Sequence, residues 1–185
     1  MEALKLKIDG LIVFKPKKFK DERGFFMESY IDSYFKKNCP NINFVQENES
    51  YSKRGVLRGL HFQNPPKSQS KLVRVIYGEV LDVAVDLRKE SPTYGKYESI
   101  ILSSENSKQL FIPKGFAHGY IVLSEFAIFS YKVDNYYSPY NESGILYNDI
   151  DLAIDWKFDN NKIIISEKDL SLNTFMNYTN NNKWK

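Results

Sequence analysis

The stretch KLVRVIYGEVLDVAVDL, residues 71–87, constrains the fold more than any other. Two blocks of β-branched and apolar residues flank Gly78, a pattern that reads as two strands joined by a short Gly-containing connection, a hairpin. The second block alternates: Val80, Asp82, Ala84 and Asp86 share one face, and Leu81, Val83, Val85 and Leu87 the other, because side chains change sides at every residue of a strand. One face therefore carries carboxylates. Further strands are expected at 11–14, 24–30, 43–52, 56–63, 98–103, 108–112, 119–123 and 126–136, separated by turn-rich pieces such as NPPKSQ and KESPTYG. Many short strands with little helix predict an all-β fold, a closed barrel or jelly roll. Helical signals are confined to SYIDSYFKKN (29–38), with Ile31, Tyr34 and Phe35 at helical spacing, and SEKDLSL, where Ser166 suits an N-cap. A chain of 185 residues is most simply one domain spanning 1–185, and its polar tail TNNNKWK is expected to fray.

Composition excludes some functions. The net charge is +3 and the charges are scattered, unlike the basic stripe of a duplex-binding protein, so no nucleic-acid partner is expected and small anions stay open as partners. Cys39 is the single cysteine and precludes an internal disulfide, and MEALKLKIDG lacks the apolar core of a signal peptide, so a cytoplasmic location is expected. No apolar run approaches the ~20 residues that cross a bilayer, so no membrane partner is expected. The 13 Phe and 13 Tyr are many, and the Tyr hydroxyls suit a functional cleft.

There are only two histidines, in GVLRGLHFQ (55–63) and IPKGFAHGY (112–120), both beside glycines. PKGFAH fits the PxGxxH half-motif of metal-binding cupins. The other half-motif needs a second histidine two residues after His61, and Gln63 stands there. Two histidines without a third N or S ligand make a poor Zn or non-haem metal site, so neither metal nor cofactor is expected. His61 is instead a candidate general base, the alternative being a partly buried ring bonded to backbone. Arg58, His61, Gln63, Gln69 and Lys71 crowd one short span. An unsatisfied buried polar group costs roughly 1–3 kcal/mol, which favours a shared polar pocket. In a regular strand Arg58 and His61 point to opposite faces, and they converge only if Gly59 marks a bulge or bend. In FSYKVDNYYSPYNE (129–142), alternation makes Tyr131 and Tyr137 candidates to face one side, with paired core aromatics as the alternative.

Taken together, DERGFFMES (21–29), FVQENESYSKRGVLRGLHFQNPP (44–66), residues 71–95, IPKGFAHGY, YKVDNYYSP (131–139) and GILYNDIDLAIDW (144–156) resemble the dTDP-4-dehydrorhamnose 3,5-epimerase family over nearly the whole chain. The resemblance implies a metal-free, cupin-type jelly-roll homodimer. Its implied substrate is dTDP-4-dehydro-6-deoxy-D-glucose, converted to dTDP-4-dehydro-L-rhamnose. Protons on C3 and C5 are acidic because each is α to the C4 ketone. The chemistry then needs a base on one ring face, a proton donor on the other, and positive charge or hydrogen bonds at O4.

Matched position by position, the resemblance implies His61 as base, Asp169 as its orienting carboxylate, Tyr131 as proton donor and Lys71 beside O4. Asp82 would pair with Lys71 or balance the charge of the site, and His118 would donate to a sugar oxygen or to O4. Arg23, Phe26 and Glu28 match nucleotide contacts, in part across a dimer interface, with Arg58 on the pyrophosphate. Gln46 and Asn48 match polar contacts in the same cleft, and Tyr137 an aromatic packing on nucleotide or sugar. Tyr147 stands where the family often has Trp, a structural departure, and the region after Asp169 is short and Asn-rich. The same machinery would suit a relative that inverts only one carbon.

Overall fold

The computed structural model describes residues 1–180, the side chain of Asn180 excepted. Two antiparallel sheets carry the fold. The first has six strands, in the order β1 (Glu2–Lys5), β2 (Ile12–Lys15), β10 (Gln109–Ile112), β7 (Lys71–Tyr77), β12 (Phe126–Val133) and β5 (Gln46–Lys53). The second has five, in the order β13 (Glu142–Gly144), β6 (Leu57–Gln63), β11 (Phe116–Val122), β8 (Glu79–Asp86) and β9 (Tyr97–Ser103). A separate ribbon pairs β3 (Lys18–Asp21) with β4 (Gly24–Met27). The helices are short: α1 (Asp32–Asn38), α2 (Glu167–Leu170) and α3 (Phe175–Asn180). This is the cupin-like jelly roll, as expected.

The alternation of β8 explains why the sheets stack. Val80 and Ala84 pack inward with Val13, Val73, Val75, Leu110, Tyr120 and Phe129, which come from both sheets. Leu81, Val83, Val85 and Leu87 point outward into a second cluster with Leu57, Leu60, Phe62, Trp156 and Tyr178, where the C-terminal segment covers the sheet. Each fully buried aliphatic side chain contributes about 1.5–3 kcal/mol. A one-residue slip of β8 would exchange that outer row for Asp82 and Asp86, so the register is firmly set. On the other flank α1 lays Phe35 against Phe14, Phe44 and Phe111, with ring centroids 5.0–5.4 Å apart. Tertiary packing sustains this seven-residue helix, whose N-cap, Ile31, offers no side-chain bond.

The hairpin expected at 71–87 does not form. β7 pairs with β10 and β12, β8 pairs with β9 and β11, and Gly78 carries the chain from one sheet to the other. One residue is too few for a two-residue hairpin turn, and the inner apolar residues of both strands gain more by facing each other across the core. Gly78 has φ +83, and a Cβ there would lie 2.2 Å from the Phe126 carbonyl oxygen. Strands β1, β3 and β13 were not expected. The tail expected to fray from Thr179 begins within α3, and 181–185 lie outside the described residues.

Candidate active site

Gly59 is the local cause of the site. Along β6, Leu57, Leu60 and Phe62 belong to the outer cluster. Strict alternation would separate Leu57 from Leu60, so the strand reverses its faces between them. The β6–β11 ladder shows how: His118 pairs with His61 and Tyr120 with Arg58, so three steps on β6 match two on β11. Gly59 takes φ +141, a Cβ on it would lie 2.5 Å from Gly119 Cα, and its peptide to Leu60 is cis. Only glycine fits this bulge. As a result Arg58 and His61 line one cleft of about 440 Å³, together with Ser166, Lys168 and Asp169. Arg58 is steadied by a 3.0 Å bond from Nε to Ser52 Oγ on β5.

Asp169 reaches His61 because Ser166 caps α2, its Oγ accepting from the Asp169 main-chain N–H at 3.1 Å. His61 Nε2–H donates to Asp169 Oδ1 at 2.8 Å, and the Gly59 N–H donates to Oδ2 at 3.3 Å. Burial pushes the Asp169 carboxyl up, but the bond and charge of His61 with the Gly59 and Ser166 bonds outweigh it and hold the group below its ordinary value. An ionised carboxylate on Nε2 fixes the ring's tautomer and leaves Nδ1 with a lone pair.

Deeper in the barrel, His118 Nε2–H donates to Asp82 Oδ2 at 2.9 Å, both side chains buried. Asp82 Oδ1 is buried without a hydrogen-bond partner. Asp82 thus pairs with His118, and it acts on Lys71 through its charge. Lys71 Nζ makes one long bond, 3.4 Å to the His61 carbonyl oxygen. Burial lowers the Lys71 pKa to about 8, against the opposing pull of Asp82 and Glu142. Burial likewise pushes His118 down, favouring the neutral ring. Its one hydrogen goes to Asp82, so a neutral His118 meets a ligand through Nδ1 as an acceptor, and the donor role implied by the resemblance would require the protonated ring.

Tyr131, on β12, packs against the inner core cluster that holds Tyr120 and Phe129. Burial is the main cause of its raised pKa; Tyr120 and Glu142 add to the rise, while Asn48 and Arg58 counter it. Tyr137 lies beyond the end of β12, so a loop rather than strand alternation brings it to the rim, half exposed. Its hydroxyl donates to Glu142 Oε2 at 2.7 Å, and Lys168 Nζ lies 2.7 Å from both Glu142 oxygens. Glu142 and Lys168 are site residues that sequence reasoning missed. Lys168 is adjacent to Asp169 in SEKD, which was the available signal; Glu142 sits in a short strand with no pattern of its own.

Arg23, Phe26 and Glu28 are not brought to the chamber. All three are exposed on or beside the β3–β4 ribbon, Arg23 is paired with Asp21, and Phe26 meets Phe19.

The family model described as dTDP-4-dehydrorhamnose 3,5-epimerase matches residues 5–177. The chain belongs to this family. A dTDP-4-dehydrorhamnose 3,5-epimerase from Shigella flexneri is 49% identical over 177 residues, covering 95% of this chain and 97% of that one. The crystal structure of such an epimerase from Elizabethkingia anophelis superposes with a TM-score of 0.92 at 45% identity, over 97% of this chain and 98% of the other. A dTDP-6-deoxy-D-glucose-3,5-epimerase from Legionella pneumophila, solved in complex with dTDP-4-keto-L-rhamnose, gives 0.90 at 46% identity, over 94% and 92%.

Tyr147 packs in the outer cluster, and its carbonyl oxygen accepts from Trp156 Nε1 at 2.8 Å. Gln63, where a metal cupin would place histidine, spends its amide on the backbone, with Oε1 accepting from Ser138 N–H and Nε2 donating to the Lys67 and Tyr136 carbonyls. Among the described residues no group of three His, Cys, Asp or Glu side chains is placed to hold a metal ion. No helix among them is long and apolar enough to cross a membrane.

Proposed function

We propose that this chain inverts C3 and C5 of dTDP-4-dehydro-6-deoxy-D-glucose, giving dTDP-4-dehydro-L-rhamnose. It is an isomerase of the nucleotide-sugar epimerase class. The observation that carries this reading is the His61–Asp169 dyad, with Lys71 Nζ 3.4 Å from the His61 carbonyl oxygen. His61 Nδ1 takes the proton from a carbon α to the C4 ketone, and the electrons of that bond pass to O4 as an enolate. In the gluco configuration the C3 and C5 hydrogens lie on one ring face, so a single base serves both. The Lys71 ammonium stabilises the O4 charge, a preorganised donor of a kind worth about 3–4 kcal/mol. Tyr131 O–H returns a proton to carbon from the opposite face. Solvent then reprotonates the phenolate and removes the proton from His61.

The nucleotide is held by Arg58 at its pyrophosphate, with Tyr137, Glu142 and Lys168 at the rim. Arg23, Phe26 and Glu28 serve the neighbouring site of a homodimer: their ribbon stands exposed and offers an aromatic face and a guanidinium with nothing of the chamber within reach. One domain, a cytoplasmic location and a role in dTDP-rhamnose supply for cell-surface polysaccharide complete the reading. The test is to incubate the protein with dTDP-4-dehydro-6-deoxyglucose in D2O and read deuterium at C3 and C5. Incorporation at both with inversion is expected. Incorporation at neither rejects the reading, and at one carbon alone it makes the protein a single-site epimerase. Sedimentation that finds only monomer would remove the shared-site role of the ribbon.

A further inference from the structure

Strand β5 has a polar row, Gln46, Asn48, Ser50 and Ser52, that alternates with more exposed residues. Gln46 Nε2–H donates to Asn48 Oδ1 at 2.7 Å, Ser50 Oγ shares a 2.8 Å bond with the Tyr120 hydroxyl, and Ser52 Oγ accepts from Arg58 Nε at 3.0 Å. The last of these bonds joins the two sheets, because Arg58 belongs to β6. The corner between the strands is pinned by the main chain. Val56 N–H donates to the Lys53 carbonyl at 3.1 Å, and the N–H groups of Arg54 and Gly55 donate to the Glu125 and Val122 carbonyls, each at 2.9 Å. Ser52 is 4% exposed, whereas Arg58 is exposed and lines the cleft with His61. The serine therefore reaches a ligand only through the arginine. A guanidinium carries five N–H groups and grips two phosphate oxygens by either of two edges, Nε with the Nη beside it or the Nη pair. The Ser52 bond occupies Nε–H and closes the first edge. Among the described residues it is the one hydrogen bond that the Arg58 guanidinium makes, so the Nη pair is left for a ligand.

We infer that Ser52 is a positioning residue for Arg58: it holds the guanidinium by Nε so that the Nη edge is the one offered to the pyrophosphate of the substrate. This rests on the epimerase reading, which puts Arg58 on the pyrophosphate, and adds a residue that touches no substrate. An arginine without such a hold samples many rotamers, and ordering it during binding lowers affinity by roughly 3- to 10-fold. The pinned corner and the buried hydroxyl meet that cost in the folding of the chain, before the ligand arrives.

Ser52→Ala removes the acceptor and lets Nε turn to water. Affinity for dTDP, measured by calorimetry, should fall roughly 3- to 10-fold. KM for dTDP-4-dehydro-6-deoxyglucose should rise by the same factor with kcat unchanged, because the fork grips ground state and transition state alike. Arg58→Lys has no Nε–H for Ser52 to hold. It should bind dTDP more weakly than the wild type, and adding Ser52→Ala to it should change nothing further. In the ligand-free wild type, the Arg58 Nε–H signal in 15N NMR, assigned by its loss in Arg58→Lys, should exchange with water more slowly than that of the exposed Arg54. That measurement decides the matter if Ser52→Ala does not fold. Unchanged dTDP affinity in Ser52→Ala would overturn the inference. So would an equal loss in the Arg58→Lys background, which would make Ser52 a part of the fold and no support for Arg58, or an Arg58 Nε–H that exchanges as fast as that of Arg54. Wild-type protein that binds no dTDP and exchanges at neither carbon would refute the epimerase reading instead, and the NMR signal would still decide whether Ser52 holds Arg58.

Discussion

His61 and His118 are direct partners across β6 and β11, and each donates Nε2–H to a carboxylate of its own, Asp169 at 2.8 Å and Asp82 at 2.9 Å. The two dyads differ in access. The His61 side chain is 33% exposed and opens on the cleft, whereas that of His118 is 7% exposed and lies near the Phe129 ring. The same pair of residue types thus yields an accessible imidazole in one case and a buried one in the other.

Removing the accessible base should stop the chemistry at its first step. His61→Ala should abolish deuterium exchange at both carbons, and Asp169→Asn should slow exchange about 100-fold by releasing the ring's tautomer and orientation. NMR of the sugar in D2O measures both. Exchange at wild-type rate in His61→Ala would remove it from the mechanism.

Tyr131→Phe should separate the two half-reactions. Proton loss to His61 survives, and the enolate can be reprotonated from the starting face, so exchange with retention should exceed inversion by about 100-fold. Equal, small effects on both would contradict the assigned sides of the ring.

Lys71 predicts an alkaline limit. The O4 charge is met by the ammonium form, present below the lowered pKa of about 8 and lost as pH rises through it. The profile of kcat/KM should therefore fall above that pH. Lys71→Arg, which keeps its charge throughout, should remove that limb even though its base rate is lower. Persistence of the limb in Lys71→Arg would assign it to another group.

Asp86 predicts acid lability. It is fully buried, and burial raises its pKa, but bonds from Arg88, Ser91, Thr93 and the Arg88 main chain outweigh that and hold it low. A carboxyl with a depressed folded pKa stabilises above the ordinary value of about 4, and that contribution disappears as pH falls below it toward the folded value. Asp86→Ala, which leaves these donors without their acceptor, should cost about 3–5 kcal/mol in urea unfolding at neutral pH and flatten the acid limb.

Gly59→Ala should damage fold and site together. The left-handed φ and the clash with Gly119 Cα make alanine unfavourable by about 1–3 kcal/mol. Because the bulge aims both Arg58 and His61, the folded remainder should also lose exchange activity. A variant with full activity and unchanged stability would show that β6 reverses its faces by other means.

Much of this protein follows from its sequence alone. Period-two alternation in β8 identified both faces of the strand, because burial on two sides rewards that pattern at every residue. Glycine beside Arg58 and His61 marked a bulge, because no other residue tolerates such a close approach. The motif set carried the family, and with it the expectation that Asp169 meets His61, which the 2.8 Å bond between them bears out. Tertiary structure alone decided which strands pair: Gly78 joins two sheets instead of turning a hairpin, because edge partners and core partners compete over distances the sequence does not display. It also decided that Asp82 meets His118 and that Glu142 bonds Tyr137 and Lys168. Those contacts join groups that lie on different strands, loops and helices, and the spacing of residues in the sequence does not say which of them come within reach.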